Sequence, residues 1–148
     1  MRNNILAISL LALCGTASAA SYGPELVTDG GFDNGDASWT MGYSWQAIPT
    51  QAYHNEGDSR PIAQATVSVT PGTLYEASYT ITGSYTSTLP NHMFRLKGSA
   101  YSNCPVNSGD GTFTCQLTAP SGVHTLLIQP SWGFAGVLDD VSLREVLP

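Results

Sequence analysis

The stretch Leu74-Tyr75-Glu76-Ala77-Ser78-Tyr79-Thr80-Ile81-Thr82 decides the fold of this chain. Tyr75, Ala77, Tyr79 and Ile81 recur at every second position, and Glu76, Ser78, Thr80 and Thr82 fill the places between them. A period of two puts the first set on one face of an extended strand and the second on the other, so the segment reads as a strand with one buried and one wet face. Pro71-Gly72 just before it marks a turn, and Ala63-Gln64-Ala65-Thr66-Val67-Ser68-Val69 alternates in the same way on the far side of that turn.

Outward from this centre the pattern repeats. His92 to Lys97 places Phe94 and Leu96 inward and Met93, Arg95 and Lys97 outward. Gly111 to Leu117 and Val123 to Gln129 continue it, and Val137 to Val146 aligns Val137, Asp139, Val141 and Leu143 on one face. Helical periodicity is absent after the N-terminal region. Turn clusters of Gly, Pro, Asn and Ser return every eight to twelve residues or so, the spacing of an antiparallel two-sheet sandwich. The expected fold is all-β, a two-sheet antiparallel β-sandwich filling residues 20–148 as a single domain.

Composition narrows the function. The chain has 148 residues, 42% of them hydrophobic, enough for one domain with a real core. Five basic residues against eleven acidic ones, for a formal net charge of −6, leave no basic stripe for nucleic acid. At the N-terminus, Met1-Arg2-Asn3-Asn4 precedes an apolar run from Ile5 to Leu13, and Ala17-Ser18-Ala19 supplies small residues for signal peptidase. Residues 1–19 are therefore predicted to be a signal peptide, and the protein to be secreted, to the extracellular space or alternatively to the periplasm or cell surface. A lipoprotein reading would use Cys14, but Leu13 before it is larger than that signal prefers. No segment is long and apolar enough to predict a transmembrane helix.

Cleavage removes Cys14 and leaves Cys104 and Cys115, separated by a Pro-, Asn- and Gly-rich loop that contains the turn signal Asp110-Gly111. Export to an oxidising compartment makes a structural disulfide the default, and the spacing is not that of a zinc site. Catalysis has little support: His54, His92 and His124 are scattered, without a metal-binding motif or a nucleophile beside them, and the Glu56/Asp58 pair sits in a polar loop. Two acidic spots stand out in strand-like sequence, the opening around Asp29 and Asp33 and the pair Asp139-Asp140. Asp139 shares the parity of core residues. A carboxylate there needs a partner or a cation, and calcium accepts several oxygen ligands; a solvated position at the sandwich rim is the alternative.

The segment Glu25-Leu26-Val27-Thr28-Asp29-Gly30-Gly31-Phe32-Asp33, followed by Trp39, resembles the opening of carbohydrate-binding modules of families 4, 9 and 22. Thr70-Pro71-Gly72-Thr73-Leu74-Tyr75 and Gly136-Val137-Leu138-Asp139-Asp140-Val141-Ser142-Leu143 are similar to later segments of those families, in the same order. The resemblance implies a galactose-binding-like jelly-roll with a structural calcium joining its first and last strands. It assigns ligands to Asp33, to the Gly31 carbonyl and to Asp139, with a further carbonyl from the loop at Asp58-Ser59. It also implies that Trp39 is core.

Sugar recognition needs aromatic faces for pyranose rings and planar polar groups for hydroxyls. Candidate platforms are Tyr43, Trp45, Tyr53, Tyr85, Tyr101 and Trp132, with Arg95, Gln129 and His92 as polar partners; of these, Trp45, Tyr85, Arg95, Gln129 and Trp132 form the predicted carbohydrate site. Packing competes with exposure for Trp45, a lid over the core with a platform for Trp132, and a plain solvated charge with a ligand contact for Arg95. The expected function is a secreted, non-catalytic module that binds an extracellular polysaccharide or glycan. The alternative is a structural or adhesive surface protein that uses the same fold for self-assembly or for a surface partner.

Overall fold

The computed structural model describes residues 19–85 and 91–148, without the side chains of Ala65 and Tyr85. The predicted signal peptide, with Cys14, lies almost wholly outside these residues. Among the described residues every regular element is a strand: β1 (Ser21–Glu25), β2 (Trp45–Ile48), β3 (Gln51–His54), β4 (Ile62–Ala65), β5 (Leu74–Tyr85), β6 (Asn91–Lys97), β7 (Tyr101–Asn103), β8 (Asn107–Ser108), β9 (Gly111–Thr118), β10 (Thr125–Pro130) and β11 (Ala135–Leu147). No helix in them is long and apolar enough to cross a membrane.

The strands form two antiparallel sheets, one ordered β2-β3-β11-β5-β9 with β1 also on β11, the other ordered β4-β10-β6-β7 with β8 also on β6. This is the expected two-sheet jelly-roll sandwich. The period-two reading holds where strands run unbroken. Tyr75, Ala77, Tyr79 and Ile81 are buried, as are Phe94, Leu96, Leu126 and Ile128 from the facing sheet, and these side chains meet to form the core. Trp39 is core as well, its ring 5.0 Å from that of Phe32.

Two strands depart from the expectation. The alternation proposed for 63–69 stops at Ala65, because Thr66 turns to a φ of 65° and ends β4. In β11 the register slips between Asp139↔Thr80 and Ser142↔Ser78, so one extra residue is inserted, and Asp140 takes a φ of 51°. A bulge of this kind reverses side-chain parity. Leu138 is therefore inward before the bulge and Val141 and Leu143 after it, while Val137 and Asp139 do not face the core. The expected shared face of Val137, Asp139, Val141 and Leu143 is thereby corrected.

The Cys104–Cys115 disulfide is present, with Cα atoms 5.9 Å apart. Cys104 follows β7, an edge of the smaller sheet, and Cys115 lies on β9, an edge of the larger one. The bridge staples the two sheets along one side of the sandwich.

Candidate functional site

The outer face of the five-stranded sheet is built mainly by β6 and β10. Their register sets Gln129 opposite Met93, Leu127 opposite Arg95 and Thr125 opposite Lys97. On the other side of β6, Arg95 faces Asn103 and Lys97 faces Tyr101. Because all of these have outward parity, they share one surface. Arg95 donates from Nε to Asn103 Oδ1 at 2.9 Å and from a terminal nitrogen to Gln129 Oε1 at 3.4 Å. Its guanidinium lies 4.0 Å from the centroid of the Tyr101 ring, and the Lys97 ammonium lies 5.9 Å from it. A cavity of about 200 Å³ opens beside Gln129, lined also by Asn91, His92, Met93, Val106, Pro130 and Ser131.

Trp132 sits on the turn that follows β10 and is 69% exposed. The turn is closed by the Phe134 N–H donating to Ser131 O at 3.1 Å, and it is tied to the preceding layer by the Gly57 N–H donating to Trp132 O at 2.8 Å. The Gln129 amide donates to Ser59 O, so the 57–60 loop is held along the edge of this face. On that loop, the Arg60 guanidinium lies 5.8 Å from the ring centroid of Tyr43, itself 83% exposed.

The predicted sugar residues therefore separate. Arg95 and Gln129 meet directly on one face, and Trp132 stands at its end. Trp45 does not join them: it is 4% exposed, its ring packs 4.7 Å from His54, and its indole N–H donates to Arg60 O at 3.0 Å. Packing won because β2 pairs with β3 and turns Trp45 into the sandwich. Tyr85 ends β5 opposite Ala135 in the other sheet, and its side chain lies outside the described residues. Tyr53 is on β3, also in the larger sheet. His92 points inward, buried among Tyr79, Phe113 and Phe134. Its Nδ1 pairs with the Tyr79 hydroxyl at 2.8 Å, and burial pushes its pKa down. Its Nε2 lies 3.3 Å from Gly109 O, so both ring nitrogens have protein partners, and the buried ring backs the cavity beside Gln129. Tyr101, one of the candidate platforms, joins the face together with Asn103, which the sequence did not single out, and Lys97 beside them was legible from its outward parity alone.

A larger hollow of about 340 Å³ lies on the opposite sheet, lined by Tyr22, Glu76, Ser78, Ser142 and Arg144. Its polar groups are largely engaged with protein partners. Tyr22 donates to Glu76 at 2.8 Å, and Ser142 and Arg144 donate to Glu25 at 2.5 and 3.1 Å. The smaller sheet's face engages its polar groups too, but it adds the exposed rings of Tyr101 and Trp132, whereas Tyr22 is the one aromatic among the described residues lining the larger hollow, so we place the candidate site on the smaller sheet.

At the cation position expected from sequence, the opening loop folds back onto the β11 bulge. The Val141 N–H donates to Gly30 O at 3.0 Å, and a Cβ on Gly30 would meet Val141 O at 1.9 Å, so only glycine fits there. Asp29 caps the loop by accepting from the N–H groups of Asp33 and Asn34. A Cβ placed on Gly31 would lie 3.9 Å from Asp33 Oδ2 and 3.9 Å from Asp139 Oδ1, so both carboxylates flank this glycine. Gln51 donates to Asp139 Oδ2 at 3.3 Å. Two carboxylates beside one glycine supply the oxygen chemistry that a hard cation takes, while the Gln51 amide turns its nitrogen to Asp139 and the Asp140 N–H donates to Asp139 Oδ1 at 2.7 Å. No group of three or more His, Cys, Asp or Glu gathers at one point among the described residues.

Comparison with known proteins bears on the fold. No protein-family model matches the sequence, and no curated protein matches it significantly. Among solved structures, the CBM22-1 xylan-binding domain of Paenibacillus barcinonensis Xyn10C superposes with a TM-score of 0.64 at 15% identity, covering 88% of this chain and 99% of that one. The N-terminal cellulose-binding domain of Cellulomonas fimi beta-1,4-glucanase C gives 0.58 at 18% identity, covering 82% and 97%. The chain thus has the jelly-roll fold of carbohydrate-binding modules.

Proposed function

We propose that this protein is a secreted, non-catalytic module that binds extracellular carbohydrate on the outer face of its five-stranded sheet. The observation that carries the reading is the junction of Arg95, Gln129, Asn103 and Tyr101, with the Trp132 turn at its end. Fixed planar donors and acceptors beside aromatic surface suit sugar hydroxyls and the C–H faces of pyranose rings. The face is carried on rigid strands, so it needs little ordering on binding. All three histidines are buried, with one ring nitrogen of each held by Phe134 O (His54), the Tyr79 hydroxyl (His92) or Pro120 O (His124), so none stands open to solvent as a base on this face.

Calcium belongs to the same proposal. The Asp33 and Asp139 carboxylates, with the Gly31 carbonyl, hold it where the opening loop meets β11. Its role there is to neutralise two acids and tie the first loop to the last strand. A glycan array probed with residues 20–148 tests the binding function. Retention on at least one plant, algal or bacterial polysaccharide is expected, and its loss in Arg95→Ala/Gln129→Ala is the specific signature. Silence across the array would favour surface assembly instead.

A further inference from the structure

We infer that the polysaccharide bound on this face is an acidic one, carrying carboxylate or sulfate groups; the inference rests on the carbohydrate reading above and deepens it. The distribution of charge carries the argument. The chain is acidic, with eleven Asp and Glu against five Lys and Arg. Even so, none of the strands of the five-stranded sheet, β4, β6, β7, β8 and β10, contains an Asp or a Glu. The charges they do contain are Arg95 and Lys97, two positions apart on β6 and therefore on the same face.

The four cations of the described residues divide cleanly. Arg144 pairs with Glu25 at 3.1 Å and Arg60 with Asp58 at 3.8 Å. Arg95 and Lys97 pair with no carboxylate among the described residues. Their contacts are neutral: Asn103, Gln129 and the Tyr101 ring for Arg95, and the same ring for Lys97. The ring orients both cations without cancelling either charge. The acids nearest this face, Glu56 and Asp58, lie on the neighbouring 57–60 loop and its approach rather than on the strands: Glu56 is exposed beside Gly57, and Asp58 Oδ1 accepts from the Ser59 and Arg60 N–H groups while its buried Oδ2 meets Arg60 Nε at 3.8 Å without a hydrogen bond.

Two like charges held on one face repel each other, and a neutral glycan gives nothing to offset that cost. An anionic group does. The guanidinium is a planar fork of five donors, of which the described contacts use two, so it retains donors for a carboxylate or a sulfate. The ammonium beside it supplies a point charge. The outward positions Asn91, Met93, Arg95 and Lys97 span about 20 Å along β6, long enough for several sugar units of an extended chain. In this arrangement Trp132 takes a ring face, Gln129 and Asn103 take hydroxyls, and Arg95 with Lys97, seated on the Tyr101 ring, takes the acid.

Isothermal titration of the purified chain against four oligosaccharides of matched length tests this: oligogalacturonate, a sulfated carrageenan fragment, a xylo-oligosaccharide and a cello-oligosaccharide. At least one acidic probe is expected to bind about tenfold more tightly than both neutral ones. That preference should collapse between low and high NaCl as screening lengthens the odds against charge pairing. Lys97→Gln, at an exposed position, should weaken the acidic probe roughly threefold, and Arg95→Gln about tenfold, with far-UV circular dichroism unchanged. The carboxylate and sulfate arms tell which acid is recognised. Tight, salt-insensitive binding of xylo- or cello-oligosaccharide, unaffected by Lys97→Gln, overturns the acidic assignment and leaves the carbohydrate reading standing. Binding of oligothymidylate as tight as that of the acidic sugar also overturns it, as generic anion capture. No binding of any oligosaccharide removes both.

Discussion

The carboxylate of Glu25 accepts a hydrogen bond from the Leu143 N–H at 2.9 Å, joining the first strand to the last across 118 positions of sequence. It accepts from the Leu26 and Val27 N–H groups too, and from Ser142 and Arg144. One side chain thereby satisfies backbone donors from both chain segments just past the β1–β11 register slip between Tyr22 and Glu25. Partial burial alone would raise the Glu25 pKa. The donors from Leu143, Ser142, Val27 and Arg144 outweigh it and hold the group below its ordinary value of 4.5.

Glu25→Gln is expected to destabilise the fold by about 1–3 kcal/mol at neutral pH, since an amide reproduces only part of this acceptor set. Because the folded pKa is lowered, the carboxylate contributes fully above the ordinary value and progressively less as pH falls through the folded one. The gap in melting temperature between parent and variant should therefore be constant from pH 7 to about 5 and close on further acidification. A gap that stays constant down to pH 3 would remove the charged acceptor from the account.

The disulfide allows a simpler test. Cys104 and Cys115 are separated by 11 positions and bridge two sheet edges. Closing a loop of that size stabilises by about 3 kcal/mol through loop-closure entropy. Cys104→Ser/Cys115→Ser should therefore fold but melt roughly 10 °C lower. Reduction of the parent should give the same shift, and a melt indifferent to both would mean that the bridge contributes nothing to stability.

For the proposed calcium, thorough chelation should lower the melting temperature by several degrees, and added calcium should restore it. A ligand at one hundred times its Kd stabilises by about 2.7 kcal/mol. In Asp33→Asn/Asp139→Asn the response to chelator should vanish. A parent melt that ignores calcium after complete removal would sink the site.

How far the sequence led depends on whether the information was local. Tyr75 to Ile81 and Phe94 to Leu96 were readable because nothing interrupts their alternation. Asp139 was misplaced on the core parity because a single inserted residue at Asp139–Asp140 reverses it, and an Asp at positive φ leaves only a faint trace in sequence. The outward parity of Arg95 and Gln129 was legible, but their contact exists only because β6 pairs with β10, a long-range choice that no local pattern encodes. Asn103 was invisible for the same reason: β7 is three residues long and shows no periodicity of its own. Asp33 and Asp139 stood out as acids in strand-like sequence, the resemblance paired them as ligands of one ion, and the fold places both carboxylates beside Gly31.

Trp45 and Trp132 make the sharpest contrast, because sequence alone could not rank them. Trp45 is 4% exposed and hydrogen-bonded to Arg60 O, whereas Trp132 is 69% exposed on its turn. Trp45→Ala should cost about 3–5 kcal/mol, the usual penalty for emptying a large aromatic site in a core. Trp132→Ala removes mostly solvated surface and should leave stability within about 0.5 kcal/mol of the parent. If the Trp132 ring stacks on a sugar, its loss should weaken polysaccharide binding by about fivefold or more, since an aromatic contact is worth ~1 kcal/mol. The two variants should thus separate in a plot of melting temperature against affinity, Trp45→Ala moving along the first axis and Trp132→Ala along the second. A Trp132→Ala protein that melts early and binds normally would reverse the assignment and make that indole a lid over the core.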